Sequence, residues 1–319
     1  MLAAHADWSV DPRKRWMTLA HGAPGGWRLS AAQPVGTLAT LFERLGQAAE
    51  GGPVVLGVDL PLGLPRGFVA RHVREPDFPA FLRRLPERPE FFAVCERLEQ
   101  ASPQRPFYPV RGLAGMTRAS LARALGLDAA AGLSRLCDRA TAERPAGAPL
   151  FWTLGANQTG KAALSAWRDL VIPALLGRTP PRLWPFDGDL GALVGDGTVA
   201  LAETYPAEAA RHLGVRLSGS KRRQADRAAT APMLEAAMRR LHAVADRALA
   251  AAITHGHGTD AAGEDRFDSL LGLLCVLNVL AGHRPDGVPA SARHVSWLRR
   301  WEGWVLGQTA IPVTPELLG

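Results

Sequence analysis

The hydrophobic pattern of the first 65 residues predicts an α/β unit. Three short strands are indicated by "AHADWSV", "RWMTLAHGA" and "GWRLSAAQPV", which are separated by turns rich in Pro and Gly. The next segment, "TLATLFERLGQAAEGG", has apolar residues at helical spacing and ends at a glycine pair, a usual helix stop. The apolar run "PVVLGVDLPLGLP" is then typical of a strand buried in a sheet and closed by a Pro/Gly turn.

The pattern changes after residue 65. Residues 66 to about 150 are rich in Arg and Pro, broken into short pieces, and show no clear strand. Two later segments, "SRLCDRATAER" and "AALSAWRDLVIPALL", predict helices, and "PLFWTL" is a candidate strand before the second. We therefore expect residues 66–195 to form a large, mainly helical insertion between the fourth and fifth strands.

The last third of the chain returns to alternating strands and helices. After the linker "RTPPRLWPFDGD", the segment "TVALAETYP" predicts a fifth buried strand and "PAEAARHLG" a helix with Pro near its start. One or two amphipathic helices are predicted in "ATAPMLEAAMRRLHAVADRALAAAI". The segment "EDRFDSLLGLLCVLNVLAG", residues 264–282, predicts a helix that is apolar on nearly every side and must be buried. Residues 1–65 and 196–319 are thus expected to form one discontinuous α/β core.

Composition places the chain among ordinary globular proteins. It has 319 residues, of which 47% are hydrophobic and 21% charged. The longest apolar stretch, 267–281, is too short to span a bilayer, and no signal peptide is apparent. Three cysteines without a C-x-x-C pair argue against a disulfide framework or a structural zinc site. We expect a cytoplasmic protein with no membrane partner.

The charge balance is basic and rests almost wholly on arginine. The formal net charge is +7, and the only lysines are Lys14, Lys161 and Lys221. A basic surface suits a polyanionic partner such as nucleic acid. An arginine-rich coding bias with solvated surface side chains explains the same balance, so charge alone leaves both interpretations open.

Acidic side chains end three of the predicted strands and begin the last helix. Asp7, Asp59 and Glu203 follow apolar strand residues, and Asp265 and Asp268 lie one turn apart at the start of the final helix. The helix dipole alone favours acids in a first turn by about 0.3–1 kcal/mol. Because parallel strands end at one edge of a sheet, all five carboxylates are expected to gather there. Such a cluster needs cations, and hard oxygen ligands suit Mg²⁺ or Mn²⁺.

The order of these elements resembles the ribonuclease-H-like fold, in the variant used by Holliday-junction resolvases. More closely, "GVDLPLGLP", "ETYPAEAARHLG", "GSKRRQADR" and "DRFDSLLGLL" resemble a bacterial family of predicted nucleases with that fold, domain of unknown function 429. The segment "FWTLGANQTGKAALSAWRDLVIPAL" is similar to a subgroup of the same family. The resemblance implies a mixed sheet flanked by helices and a metal-dependent nuclease acting on phosphodiester bonds.

The resemblance also implies the site residues. The expected metal ligands are Asp7, Asp59, Glu203 and Asp268, and Asp265 is a further catalytic candidate because a D-x-x-D pair need not supply both ligands. One departure is visible, since the family usually has a glycine shortly before the first-strand acid and this chain has His5 and Ala6 there.

A second motif offers a competing function. The segment "GANQTGKA", residues 155–162, matches G-x-x-x-x-G-K but has Ala162 in place of the Mg²⁺-binding hydroxyl. The sequence therefore leaves open a nucleotide-binding or nucleotide-hydrolysing regulator, and also a non-catalytic nucleic-acid-binding module whose acids have lost their function. In either case a nucleic acid or nucleotide is the expected partner, and the candidate phosphate contacts are Gln158, Lys161, Lys221 and Arg227.

Overall fold

A computed structural model describes residues 1–112, 115–154, 159–290 and 296–312. Within these residues eight strands form one mixed sheet: β1 (Leu2–Asp7), β2 (Trp16–Ala23), β3 (Gly26–Leu29), β4 (Gln33–Pro34), β5 (Val54–Val58), β6 (Arg182–Leu183), β7 (Val199–Glu203) and β8 (Ala243–Ala245). The strand order is β6-β7-β5-β1-β2-β3-β8, with the short β4 also paired to β2.

The central strand β1 divides the sheet into two halves. On one side β2 and then β3 continue antiparallel, as expected for strands joined by short turns. On the other side β5, β7 and β6 are all parallel to β1, and long connections return the chain to the same end. Every residue of β1 and β5 is buried, which matches their nearly continuous apolar sequences.

Twelve α-helices accompany the sheet in the described residues. They are α1 (Leu41–Ala48), α2 (Arg66–His72), α3 (Phe78–Arg84), α4 (Arg118–Ala124), α5 (Thr159–Ala166), α6 (Ile172–Leu175), α7 (Leu190–Leu193), α8 (Pro206–Leu213), α9 (Gln224–Ala228), α10 (Ala231–Arg240), α11 (Arg247–Thr254) and α12 (Gly263–Leu280). A π-helical turn, Trp167–Val171, joins α5 to α6. None of the helices in the part of the chain that the structure describes is long and apolar enough to cross a membrane.

Helix α12 packs directly on the centre of the sheet. Its residues contact β1, β2 and β5, and α8 lies beside it. The close approach depends on glycine, because a Cβ at Gly272 would lie 2.2 Å from the imidazole of His5. His5 Nδ1 also lies 3.1 Å from the Ser269 carbonyl oxygen, and the Thr18 and Ser269 hydroxyl oxygens are 2.7 Å apart. These contacts fix the position of the acidic first turns of α12 relative to the ends of the strands.

The α/β class and the helix-flanked mixed sheet predicted from the sequence are confirmed, and two local predictions are wrong. "SRLCDRATAER" forms no α-helix, because the Asp138 carboxylate accepts a hydrogen bond from the Arg135 backbone and the segment closes as a three-residue 3₁₀ turn, Leu136–Asp138. "PLFWTL" forms only an isolated bridge between Trp152 and Tyr108. The amphipathic region near residue 240 contains two helices, and the short strand β8 between them was not predicted.

The segment 66–195 contributes α2 to α7 and the two-residue strand β6. Its apolar side chains, such as Phe68, Phe78 and Trp167, belong to the same hydrophobic cluster as residues of β1 and β5. The segment is therefore packed against one face of the sheet, and α12 packs against the opposite face with Ala3 and Val55.

Candidate functional site

A cavity of about 420 Å³ lies at the carboxyl end of the central strands. Its wall contains five acidic side chains and three lysines, together with Trp8 and Tyr205. The acids are Asp7, Asp59, Glu264, Asp265 and Asp268, and the lysines are Lys14, Lys161 and Lys221. We call this space the carboxylate cavity.

The strand register explains how acids that are far apart in sequence meet here. Ala6 of β1 is aligned with Val58 of β5, so the residues that follow the aligned pair, Asp7 and Asp59, emerge side by side. The backbone N–H of Asp59 donates to the Ala6 carbonyl oxygen at 3.1 Å and fixes this arrangement. Helix α12 supplies the other acids, because residues 264, 265 and 268 share the face of its first turns.

The carboxylates of the cavity raise one another's pKa values. Burial, together with the nearby Asp268 carboxylate, raises the pKa of Asp59 to about 7. Burial and the charges of Asp268, Asp59 and Asp265 raise the pKa of Asp7 well above its usual value. Burial also raises the pKa of Asp265 to about 6. A cluster of this kind is fully ionised at neutral pH only when cations neutralise it.

One such cation belongs to the chain itself. The Lys221 ammonium donates a hydrogen bond to Asp268 and lies 3.3 Å from Glu264. Burial alone would lower the Lys221 pKa, but the charges of Asp268 and Glu264 raise it above its usual value. Burial nevertheless keeps the pKa of Asp268 raised. Lys221 therefore neutralises part of the acidic charge, and the charge of Lys14 opposes the rise of the Asp265 pKa.

The loop that carries Lys221 is held by Arg227. Its guanidinium is buried and donates to three backbone carbonyl oxygens, those of Lys221 at 2.5 Å, Gly256 at 2.8 Å and Gly258 at 2.7 Å. The sequence predicted a phosphate contact for Arg227, and the structure shows each of its three guanidinium nitrogens donating one hydrogen bond to the backbone. This arginine instead positions Lys221.

Glu203 is also placed differently from expectation. Both oxygens of its carboxylate accept from Arg135 at 2.6 Å, and the Leu62 backbone N–H donates to it at 2.6 Å. Arg135 pairs with the Asp138 carboxylate as well, and all three side chains are buried. Glu203 does not line the carboxylate cavity among the described residues. Its geometry is that of a structural ion pair, so the predicted ligand role of Glu203 finds no support here.

The lysine composition of the cavity is unusual for this chain. Of the 37 Lys and Arg residues only three are lysine, and all three line the cavity. No arginine is found among the described residues of its wall. The planar guanidinium of an arginine binds both oxygens of a carboxylate at once. An ammonium is a compact charge that can leave one of the two oxygens open. Lys14 was missed by reasoning from motifs, although the rarity of lysine pointed to it.

The "GANQTGKA" motif lies only partly within the described residues. Gly155–Gln158, and with them the predicted phosphate contact Gln158, lie outside them. Lys161 is described in the first turns of α5, and it reaches the wall of the carboxylate cavity. The nucleotide-binding alternative stays a prediction.

The cavity offers the donor set that a hard divalent cation requires, with carboxylate oxygens from two strands and one helix. The Asp265 Oδ2 atom is buried and has no hydrogen-bond partner, so it is open to a cation. Among the described residues, no three acids of the cavity place their oxygens all within 4.8 Å of one another. Lys221, bound to Asp268, holds part of that space.

A different group, Glu143, Glu208 and His212, does satisfy this distance criterion. Its central carboxylate, Glu208, already accepts from His212 at 2.9 Å and Arg211 at 2.8 Å, and it lies 3.2 Å from Arg144. Two guanidinium groups beside the same carboxylate oppose a metal cation there. The carboxylate cavity is therefore the better candidate for a metal site.

No family model, curated protein or solved structure matches this chain. The case for a function therefore rests on the residues of the cavity.

Burial of Asp59 predicts a pH dependence of stability in the metal-free protein. A carboxyl group whose pKa rises from 3.8 to about 7 on folding contributes stability below its unfolded pKa, and this contribution is lost as the pH rises through about 7. We expect the free energy of unfolding, measured with urea in EDTA, to fall less between about pH 5 and 8 in Asp59→Asn than in the wild type. The contributions of all other titrating groups are common to both proteins and cancel in this comparison. An equal change of the unfolding free energy with pH in the two proteins would contradict the prediction.

Proposed function

We propose that this chain is a Mg²⁺- or Mn²⁺-dependent phosphodiesterase that acts on nucleic acid. The observation that carries the proposal is the single cavity in which five carboxylates meet every lysine of the chain. The acids suit a divalent cation, and the lysines suit the phosphate oxygens of a substrate. The net charge of +7 favours the approach of a polyanion.

The proposed fold is the ribonuclease-H-like one. The support is the order of elements: an antiparallel meander β1-β2-β3, helix α1, the parallel strand β5 before an aspartate, and a last buried helix with the D-x-x-D pair. This is the order on which the sequence resemblance rests. The segment 66–195 would then be an insertion between the core strands β5 and β7.

In the proposed mechanism Asp7, Asp59, Asp265 and Asp268 would hold the metal. A bound divalent cation supplies activation of a water and stabilisation of the leaving oxygen. Lys161 and Lys14 bind non-bridging phosphate oxygens, because neither ammonium has an ion-pair partner within 4.0 Å in the described part of the chain. Lys221 orients Asp268, and the Arg227 guanidinium holds the loop from which Lys221 extends.

The direct test is cleavage of labelled single-stranded and duplex oligonucleotides with Mg²⁺, Mn²⁺ or EDTA. We expect hydrolysis that requires the metal and falls at least about 100-fold in Asp59→Asn, the range that loss of one essential electrostatic group produces. Asp128→Asn is the matched control, because Asp128 is an exposed acid paired with Arg71 outside the cavity. Metal-independent cleavage, or an equal loss in both variants, would contradict the proposal.

A further inference from the structure

A second cavity, of about 550 Å³, adjoins the carboxylate cavity. Its apolar wall includes Ala210 of α8, Leu271 of α12, and Val215 and Leu217 from the loop after α8. Its opening is basic, with Arg211 and Arg216 at the surface. The second cavity thus combines an apolar floor with a positively charged rim.

The two cavities share a wall. Ala207, Lys221 and Asp268 line both of them, so the Lys221–Asp268 ion pair separates the acidic space from the apolar one. A group covalently attached to a phosphate in the carboxylate cavity would meet the second cavity directly across this ion pair. The position therefore suits the part of a substrate next to the reacting phosphate.

The apolar floor and basic rim of the second cavity indicate the kind of group that would bind there. A sugar or a bare phosphate gains little from an apolar floor, whereas a nucleobase buries a flat and largely apolar face. The guanidinium of Arg216 has no hydrogen-bond or ion-pair partner among the described residues, so its donors are open to a neighbouring phosphate or to a base edge. Arg211 is different, because it already donates to Glu208 at 2.8 Å.

We propose that the second cavity binds an unpaired nucleobase adjacent to the scissile phosphate. A base stacked and paired in a duplex cannot enter such a cavity without losing its stacking and pairing. The substrate class is therefore single-stranded or locally unpaired nucleic acid. This inference rests on the proposed function and adds to it the strand state of the substrate.

The first test needs no variant. Binding of adenosine 5′-monophosphate and of ribose 5-phosphate is measured by calorimetry in Mg²⁺, since both ligands carry the same phosphate and sugar. We expect the nucleotide to bind about tenfold more tightly, the factor produced by removing roughly 55 Å² of apolar surface from water. Equal affinities, or no binding of the nucleotide, would overturn the inference.

The second test locates the base. Ala210→Phe fills the second cavity, and Ala248→Phe places the same side chain on the exposed face of α11 as a control. We expect Ala210→Phe to remove the preference for adenosine 5′-monophosphate while Ala248→Phe keeps it. A preference retained in a folded Ala210→Phe protein would overturn the placement. If this variant does not fold, the comparison of the two ligands in the wild type still decides whether the protein binds a nucleobase.

The third test compares two oligonucleotides that contain the same sequence. In one the sequence is single-stranded, and in the other it is joined through a loop to its complement and forms a hairpin duplex. We expect tighter binding of the single strand by about tenfold or more. A duplex that binds equally well would overturn the inference and leave the proposed function intact. Failure of the proposed function is seen separately, as absence of Mn²⁺ binding by the wild-type chain.

Discussion

Replacing Asp59 and Asp268 together by alanine is expected to weaken Mn²⁺ binding by at least about 100-fold. The two residues come from different elements, since one follows strand β5 and the other lies in helix α12. Removing both leaves Asp7 and Asp265 as the remaining proposed ligands, one from a strand and one from the helix. Mutations of groups that merely support metal ligands cost about 10- to 100-fold in metal affinity, so the loss of two ligands should exceed that range.

The measurement is calorimetric titration of Mn²⁺ into protein stripped of metal with a chelator. The double variant should remain folded, because burial disfavours both charged carboxylates. Lys221 loses Asp268, but its side chain is 43% exposed and it keeps Glu264 as a partner at 3.3 Å. An Asp128→Ala variant controls for loss of surface charge. Near-stoichiometric binding in the wild type that persists in the double variant would place the metal elsewhere and refute the assigned site.

A second comparison sharpens this result. The same titration near pH 5 and near pH 8 should show tighter binding at the higher pH, since the Asp59 pKa is about 7 and metal ligands must be deprotonated. Affinity that does not change with pH would argue that the buried carboxyl groups take no part in binding.

The positions of most acidic residues of the carboxylate cavity could be predicted from the sequence, because they depend on local patterns. Apolar runs that end in an acid mark β1 and β5, and parallel neighbours must end at one edge, so the meeting of Asp7 with Asp59 was predictable. The same holds for Asp265 and Asp268, whose spacing places them on one helix face.

The sequence is least informative where the partner of a charged side chain comes from a distant segment of the chain. Glu203 has the same sequence signature as Asp59, but its partner Arg135 lies in the segment "SRLCDRATAER", which the sequence pattern wrongly predicted to be a helix. Arg227 likewise donates hydrogen bonds to the carbonyl groups of Gly256 and Gly258, which no local pattern connects to it. The sequence pattern predicts where a strand ends. It does not predict which charged side chain pairs with the acidic residue at that end.

Replacing Arg135 by methionine is expected to destabilise the protein by about 3–5 kcal/mol, the cost of breaking a buried ion pair by removing one partner. The Arg135 guanidinium lies between the carboxylates of Glu203 and Asp138, and it also donates to the Leu62 carbonyl oxygen at 2.9 Å. Methionine fills much of the volume but leaves two buried acids without their cation. The loss should be visible in urea denaturation.

The matched control is Arg71→Met. Arg71 pairs with Asp128 at 2.6 Å, but its side chain is 45% exposed and that of Asp128 is 87% exposed. We expect a cost of at most about 1 kcal/mol there, because solvent screens exposed pairs. Comparable losses in the two variants would show that the Arg135 network does not have the buried character assigned to it.

The double variant Arg135→Met with Glu203→Gln distinguishes the ion pair from simple packing. Because glutamine removes one uncompensated buried charge, we expect it to recover part of the stability lost in Arg135→Met. Glu203→Gln alone should also keep Mn²⁺ affinity within about threefold of the wild type, unlike the Asp59 and Asp268 variants. A large loss of Mn²⁺ affinity in this folded variant would return Glu203 to the ligand set and would mean that Arg135 releases it when metal binds.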